Sequence, residues 1–109
     1  MLDPDLGTIM VEEFKKITGK IPPNMIILDV RDSEKTQMGI IKGAKNIPVN
    51  ELKDRLNELP KDKEIVVHCA TGMRAEMAYN ILKEAGYNVK FLDAIIQIKK
   101  GGKYTITEN

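Results

Sequence analysis

The chain has one cysteine, Cys69, which stands between an apolar run and a helical pattern. Residues 65–67 (IVV) are typical of a strand buried on both faces, and they lead through His68 to the cysteine. A turn of five residues follows, and a helix is predicted from near Arg74. A turn that curls back on the cysteine points backbone N–H groups at the sulfur, and the positive end of the helix dipole adds to them. Both effects favour the thiolate, so this segment predicts a nucleophilic cysteine.

The five residues after the cysteine, here called the cysteine loop, are Ala70, Thr71, Gly72, Met73 and Arg74. Gly72 permits a tight bend of the backbone. Arg74 either bonds to carbonyls of the loop and holds it closed, or binds an anionic substrate. Thr71 either donates its hydroxyl to a bound anion or caps the following helix. Met73 is expected at the tip of the loop, where an apolar side chain shapes access of the substrate.

A lone cysteine after an apolar strand is also often a small buried hydrophobe. The glycine three positions after Cys69 and the arginine five positions after it, followed by a regular helix, favour the catalytic interpretation. His68 is interpreted differently, because adjacent side chains of a strand point to opposite faces of the sheet. We therefore expect His68 to be structural and out of reach of the sulfur.

Elements that position this segment can be read from the spacing of apolar residues. Helical spacing is found in residues 11–17, in residues 50–59 with Asn50 as a plausible N-cap, and in residues 74–85, after which Gly86 ends the helix. Short apolar runs typical of strands are residues 25–30, 47–49, 65–67 and 89–92, with residues 9–11 as an edge strand. Residues 95–98 and 104–107 flank Gly101-Gly102 and predict a C-terminal hairpin.

Strands that alternate with helices over so short a chain predict an α/β fold. We expect a small, mostly parallel sheet covered by helices on both faces. Ligands of such sheets bind at the carboxyl ends of the strands, which is where Cys69 lies.

Length and charge exclude several classes of protein. A chain of 109 residues, 42% of them hydrophobic, is expected to form one domain over residues 1–109. The net charge of +1 speaks against nucleic acid and anionic membrane as partners. One cysteine forms no internal disulfide. Residues 1–5 are acidic and broken by proline, unlike a signal peptide, and no apolar run reaches the roughly 20 residues of a membrane span. A soluble, cytoplasmic protein is expected.

Four segments in this order resemble the rhodanese-like domain family. They are Leu28-Asp29-Val30-Arg31, Gly43-Ala44-Lys45-Asn46-Ile47-Pro48, the run from Cys69 to Ala75, and the run from Ile81 to Tyr87. None of these segments alone is specific for the family, but the four segments in this order are. The resemblance covers about residues 9–92 and leaves residues 93–109 as a divergent C-terminal hairpin.

The resemblance implies a sulfurtransferase. In that family the cysteine, here Cys69, takes a sulfane sulfur from a donor as a persulfide and passes it to a nucleophilic acceptor. It implies no metal and no organic cofactor, and it makes Asp29 and Arg31 structural supports beneath the site. The implied partners are small sulfur donors and thiophilic acceptors, or a protein that donates or accepts sulfur.

The chain departs from the family in ways that bear on the donor. Residues 70 and 73 are Ala and Met, whereas members that use thiosulfate tend to carry cationic loop residues. A small dianion then has weaker electrostatic support, which favours polysulfide or a protein persulfide as donor. Ile40 occupies a position where members of the family often have a histidine. Asp93 begins the segment where they often have a pair of glycines.

Two other functions compete with sulfur transfer. A cysteine phosphatase or arsenate reductase is disfavoured, because phosphatases need an arginine six positions after the cysteine and here Arg74 is at five. A non-catalytic binding or regulatory module on the same fold usually lacks the cysteine, and Cys69 is present.

Overall fold

A computed structural model of the chain describes residues 7–108. The elements in chain order are α1 (Val11–Gly19), β1 (Met25–Asp29), α2 (Ser33–Thr36), β2 (Lys45–Asn46), a 3-10 helix (Val49–Glu58), β3 (Glu64–His68), α3 (Met73–Glu84), β4 (Val89–Phe91), β5 (Ala94–Ile98) and β6 (Tyr104–Glu108).

Four of the strands form a parallel sheet in the order β2-β1-β3-β4, and β5 and β6 form a separate antiparallel hairpin. The register of β1 against β3 runs from Met25 opposite Glu64 to Asp29 opposite His68. Both strands therefore end at the same edge of the sheet, and Cys69 is the next residue beyond it. The prediction of an α/β fold with a parallel sheet and a C-terminal hairpin is confirmed.

Both faces of the sheet are buried, which explains the unbroken apolar runs of β1 and β3. One face carries Leu28 and Val67 and is covered by α3 and the 3-10 helix. The other carries Ile27 and Val66 and is covered by α1 and the hairpin. The hydroxyls of Thr18 and Tyr104 share a hydrogen bond that ties α1 to the hairpin.

The edge strand predicted for residues 9–11 is wrong. Thr8 forms an isolated bridge with Phe91, and the Ile9 N–H donates to the Phe91 carbonyl oxygen at 2.9 Å. Helix α1 begins at Val11, so the extended segment is too short to form a strand. The helical spacing of residues 11–17 decides the conformation there.

The helix predicted over residues 50–59 with Asn50 as its N-cap also needs correction. The segment is a 3-10 helix from Val49 to Glu58 with Pro48 at the N-cap position. Arg55 interrupts it with φ −122° and ψ 17°, and its guanidinium pairs with Glu51 and Glu58. Similarly, the apolar residues 47–49 are not a strand, since the hydrogen-bonded pair with β1 is Lys45–Asn46.

Among residues 7–108, no helix is long and apolar enough to cross a membrane. The expectation about residues 1–5 lies outside the described part of the chain.

Candidate active site

Cys69 lies at the carboxyl end of β3, with its side chain turned toward α3. The residue is 2% exposed and belongs to the apolar cluster beneath that helix. Helix α3 begins at Met73, one residue before the expected start, and its N-terminus is adjacent to the sulfur.

Two backbone amides hold the sulfur. The Gly72 N–H donates to Cys69 Sγ at 3.0 Å, and the Ala75 N–H donates to it at 3.2 Å. Amides in this arrangement form a concave donor site that stabilises negative charge on the atom they face. The sequence predicted loop amides at the sulfur, and the geometry matches that prediction.

Gly72 makes the turn possible. Its φ of +97° is in the region that glycine alone enters readily. A Cβ at this position would also lie 2.9 Å from Asp93 Oδ1 and 3.2 Å from the Asp93 Cα. Both the backbone conformation and the space therefore require glycine.

The C-terminal hairpin contacts the cysteine loop. The Ile96 N–H donates to the Ala70 carbonyl oxygen at 2.9 Å, and Asp93 packs against Gly72. Residues 93–109 lie outside the resemblance, and nothing in the sequence connects them with the site. The apolar alternation of β5 predicted a strand but not the loop that it contacts.

An open pocket of about 450 Å³ is lined in part by Cys69. Its walls include the loop residues Ala70, Thr71, Met73 and Arg74, together with Lys35 and Met77. Met73 is 74% exposed and Met77 is 57% exposed, so two thioether side chains stand at the mouth. Neither Lys35 nor Met77 was predicted from the sequence. Met77 follows Met73 at helical spacing, whereas nothing in the sequence pattern connects Lys35 of α2 with the cysteine.

Arg74 turns outward from the loop. Its Nη1 lies 3.4 Å from Asp32 Oδ2, and both side chains are about half exposed. It makes no hydrogen bond to a loop carbonyl within residues 7–108, so the interpretation that Arg74 closes the loop in this way is wrong. The N-cap residue of α3 is Gly72, which directly follows Thr71, so the two interpretations of the Thr71 hydroxyl both stay predictions.

Asp29 and Arg31 form a buried ion pair at the carboxyl end of β1. Arg31 Nη2 lies 2.6 Å from Asp29 Oδ2, and Arg31 Nε donates to both carboxylate oxygens. The same Nη2 donates to the Gly39 carbonyl oxygen at 2.8 Å. The pair thus ties the end of β1 to the segment that follows α2.

His68 faces the opposite side of the sheet from Cys69, as strand alternation predicted. Its ring is fully buried and packs edge-on against Phe14 at a centroid distance of 5.7 Å. Neither ring nitrogen has a hydrogen-bond partner among residues 7–108, and Nε2 lies 3.9 Å from Asp29 Oδ2. Burial lowers the pKa of His68 to about 4, although the Asp29 carboxylate opposes the shift, so the imidazole is neutral at pH 7.

Residues 10–94 match the model of the rhodanese-like domain, and the chain belongs to that family. It is 48% identical over 69 residues to an HTH-type transcriptional regulator of Mycobacterium tuberculosis, covering 62% of this chain and 30% of the regulator. It is 39% identical over 62 residues to a thiosulfate sulfurtransferase of Escherichia coli, covering 55% of this chain and 60% of that protein.

A similar solved structure is the NAD-dependent persulfide reductase from A. fulgidus. It superposes with a TM-score of 0.64 at 42% identity, and the match covers 82% of this chain and 15% of the reductase. The chain therefore spans less than two thirds of each of these three proteins.

Proposed function

We propose that the protein is a sulfurtransferase in which Cys69 carries a sulfane sulfur as a persulfide. The observation that carries the proposal is that Cys69 lines an open pocket and that the Gly72 and Ala75 amides lie 3.0 and 3.2 Å from its Sγ. Membership of the rhodanese-like family and the sulfurtransferase among its relatives support the same chemistry.

In the first step, the Cys69 thiolate attacks a sulfane sulfur of the donor. A new S–S bond forms, the old bond to that sulfur breaks, and the donor leaves with the bonding electron pair. In the second step, the thiolate of an acceptor attacks the outer sulfur of the persulfide, and Cys69 leaves as a thiolate. The loop amides stabilise the negative charge on sulfur in both states, as an oxyanion hole does. Asp29 and Arg31 serve as structural support for the site.

The pocket favours a donor of low charge. Met73 and Met77 make the mouth apolar, and the positive charge of Arg74 is partly neutralised by Asp32. Lys35 is the other cation of the pocket wall. A compact dianion such as thiosulfate gains less from this arrangement than an organic persulfide, which carries a single charge, or a polysulfide chain, which spreads its charge over more atoms. Because one relative is a thiosulfate sulfurtransferase, thiosulfate is also tested as a donor in the experiment below.

A regulatory binding module is the second candidate, because the M. tuberculosis relative is a transcriptional regulator. In that role Cys69 senses a sulfur species rather than passing it on. A phosphatase is disfavoured, since the arginine stands five positions after Cys69 rather than six, and Arg74 is paired with Asp32.

The test incubates the purified protein with polysulfide and, separately, with thiosulfate. Intact mass is then recorded before and after treatment with cyanide. A gain of one sulfur, about 32 Da, that cyanide removes and that the Cys69→Ala variant lacks establishes the persulfide. Folded protein with a free thiol that gains no sulfur from either donor would refute the proposal for these donors. A stable adduct that no acceptor thiol removes would favour the sensor, and turnover of an aryl phosphate would favour the phosphatase.

A further inference from the structure

A second groove lies beside the Cys69 pocket. It has a volume of about 580 Å³, and its lining comprises Gln37, Met38, Ile98, Lys99 and Lys100. Helix α2 and the residues after it form a wall common to both hollows, because Lys35 lines the cysteine pocket and Met38 lines the groove.

The hairpin joins the two hollows on their other side. The Ile96 N–H is bonded to the Ala70 carbonyl oxygen, and the backbone of Gly39 packs against the carbonyl of Lys99. Lys99 is three residues beyond Ile96 along the strand, which places it about 10 Å from the cysteine loop. The cysteine pocket and the groove are therefore neighbours along the hairpin, and together they are called the docking surface below.

Exposed methionines give this surface an apolar character. Met38 is 72% exposed, and Met73 and Met77 stand at the mouth of the neighbouring pocket. Among residues 7–108 only two other large apolar side chains, Met10 and Ile95, are comparably exposed. Clustered exposed apolar groups mark interaction sites, and flexible methionines adapt to the shape of a partner.

The same surface carries unpaired positive charge. Lys35, Lys99 and Lys100 are exposed, and within residues 7–108 none of them lies within 4.0 Å of a carboxylate. Lys45 and Lys90, by contrast, pair with Glu58 and Glu64 elsewhere on the molecule. Glu34 of α2 lines neither hollow. The whole chain has a net charge of only +1, so the excess is local.

We propose that this surface docks a partner protein through an acidic segment that bears the cysteine exchanging sulfur with Cys69. The proposal rests on the sulfurtransferase function proposed above and names its partner. An extended peptide advances about 3.3–3.6 Å per residue, so three residues span the roughly 10 Å from the loop to the lysines. The partner's acidic side chains therefore lie three to four residues from its cysteine, with apolar side chains between them to contact the methionines.

The transfer itself conserves electrons. The partner's thiolate attacks the outer sulfur of the Cys69 persulfide, the S–S bond to Cys69 breaks, and Cys69 leaves as a thiolate with the bonding pair. The partner ends as the persulfide, and no oxidant is consumed.

The experiment uses protein loaded with polysulfide and two synthetic peptides. Both contain a cysteine followed by two leucines; the next two residues are Glu-Glu in one peptide and Lys-Lys in the other. We expect sulfur transfer, followed by mass spectrometry, to be about tenfold faster to the acidic peptide at low salt, with a difference that shrinks as salt is raised. Equal rates, or a faster reaction with the basic peptide or with glutathione, overturn the proposal.

A pair of charge-reversal variants locates the effect. Lys99→Glu with Lys100→Glu is expected to abolish the preference for the acidic peptide and to leave loading by polysulfide unchanged. The matched control, Lys53→Glu with Lys83→Glu, makes the same change in net charge at exposed lysines outside both hollows. A preference that survives in the first variant, or is lost equally in both, contradicts the assigned surface.

Fluorescent forms of both peptides are also titrated onto the Cys69→Ala variant, which measures docking without sulfur transfer. Tighter binding of the acidic peptide by this variant, combined with wild-type protein that takes up no sulfur, would reject the sulfurtransferase function and retain the docking surface. Normal loading without any preference in binding or transfer would reject the docking surface alone.

Discussion

Gly72→Ala tests whether the conformation of the cysteine loop produces the reactivity of the sulfur. The new Cβ meets two obstacles at once. The backbone has a φ of +97°, and Asp93 Oδ1, Asp93 Cα and Ala94 N would lie 2.9, 3.2 and 3.3 Å from the added carbon. Two of these three contacts are backbone atoms of the hairpin, which move less readily than the end of a flexible side chain.

Each obstacle has a cost that can be estimated. A left-handed conformation costs a residue with a Cβ about 1–2 kcal/mol. Relief of the contacts moves the loop away from Asp93 and pulls the Gly72 N–H from its 3.0 Å hydrogen bond to Sγ. A hydrogen bond to a charged atom contributes about 1.5–3 kcal/mol, and the loss of that amount slows persulfide formation about 10- to 100-fold.

The assays are urea unfolding, for stability, and the initial rate of sulfur uptake from polysulfide, by intact mass. Gly101→Ala is the matched control, because Gly101 has a similar φ of +88° and no neighbouring atom within 4 Å of the added carbon. Both variants lose stability through the backbone conformation, but only Gly72→Ala is expected to load slowly. Equal loading rates in the two folded variants would refute the reasoning that the Gly72 amide activates the sulfur.

Two further predictions concern the buried polar groups. His68 has a pKa of about 6.5 in the unfolded chain and about 4 in the folded chain. Unfolding between these two pH values therefore takes up a proton. As a result, the free energy of unfolding falls by up to about 3 kcal/mol as the pH is lowered through this range. Urea titrations across this window check the prediction, and an equal loss in His68→Leu would contradict it. Arg31→Met leaves the Asp29 carboxylate buried without its guanidinium and is expected to cost about 3–5 kcal/mol in the same assay. Asp29→Asn combined with Arg31→Met should recover part of that loss, and no recovery would argue against the ion pair as the cause.

The sheet and helix α3 were predictable because their signals are local. The apolar runs of β1 and β3 indicate strands buried on both faces, and the helical spacing of residues 74–85 needs no knowledge of distant segments. The prediction failed where local signals are weak or conflict. The segment after Pro48 has apolar residues at helical spacing, but the kink at Arg55 and the 3-10 geometry depend on how the segment packs against α3.

Part of the candidate site was predictable for the same reason. Cys69, Gly72 and the start of α3 lie within a few residues of one another, so the sequence alone indicates amides directed at a sulfur. The sequence also indicates that His68 points away from Cys69, since that follows from the alternation of a strand. The catalytic role of Cys69 stays a prediction, and the measurement of intact mass tests it.

Contacts between residues far apart in the chain were decided by the tertiary structure alone. The position of Lys35 in the wall of the cysteine pocket, the hydrogen bond from Ile96 to Ala70, and the groove at the hairpin tip all join segments separated by more than 20 residues. Periodicity and turn signals describe a residue's own element, whereas these contacts depend on the direction in which each element leaves the sheet and on what it packs against. The sequence by itself determined the family, the sheet and the nucleophile proposed for it, and tertiary packing determined which residues surround that nucleophile.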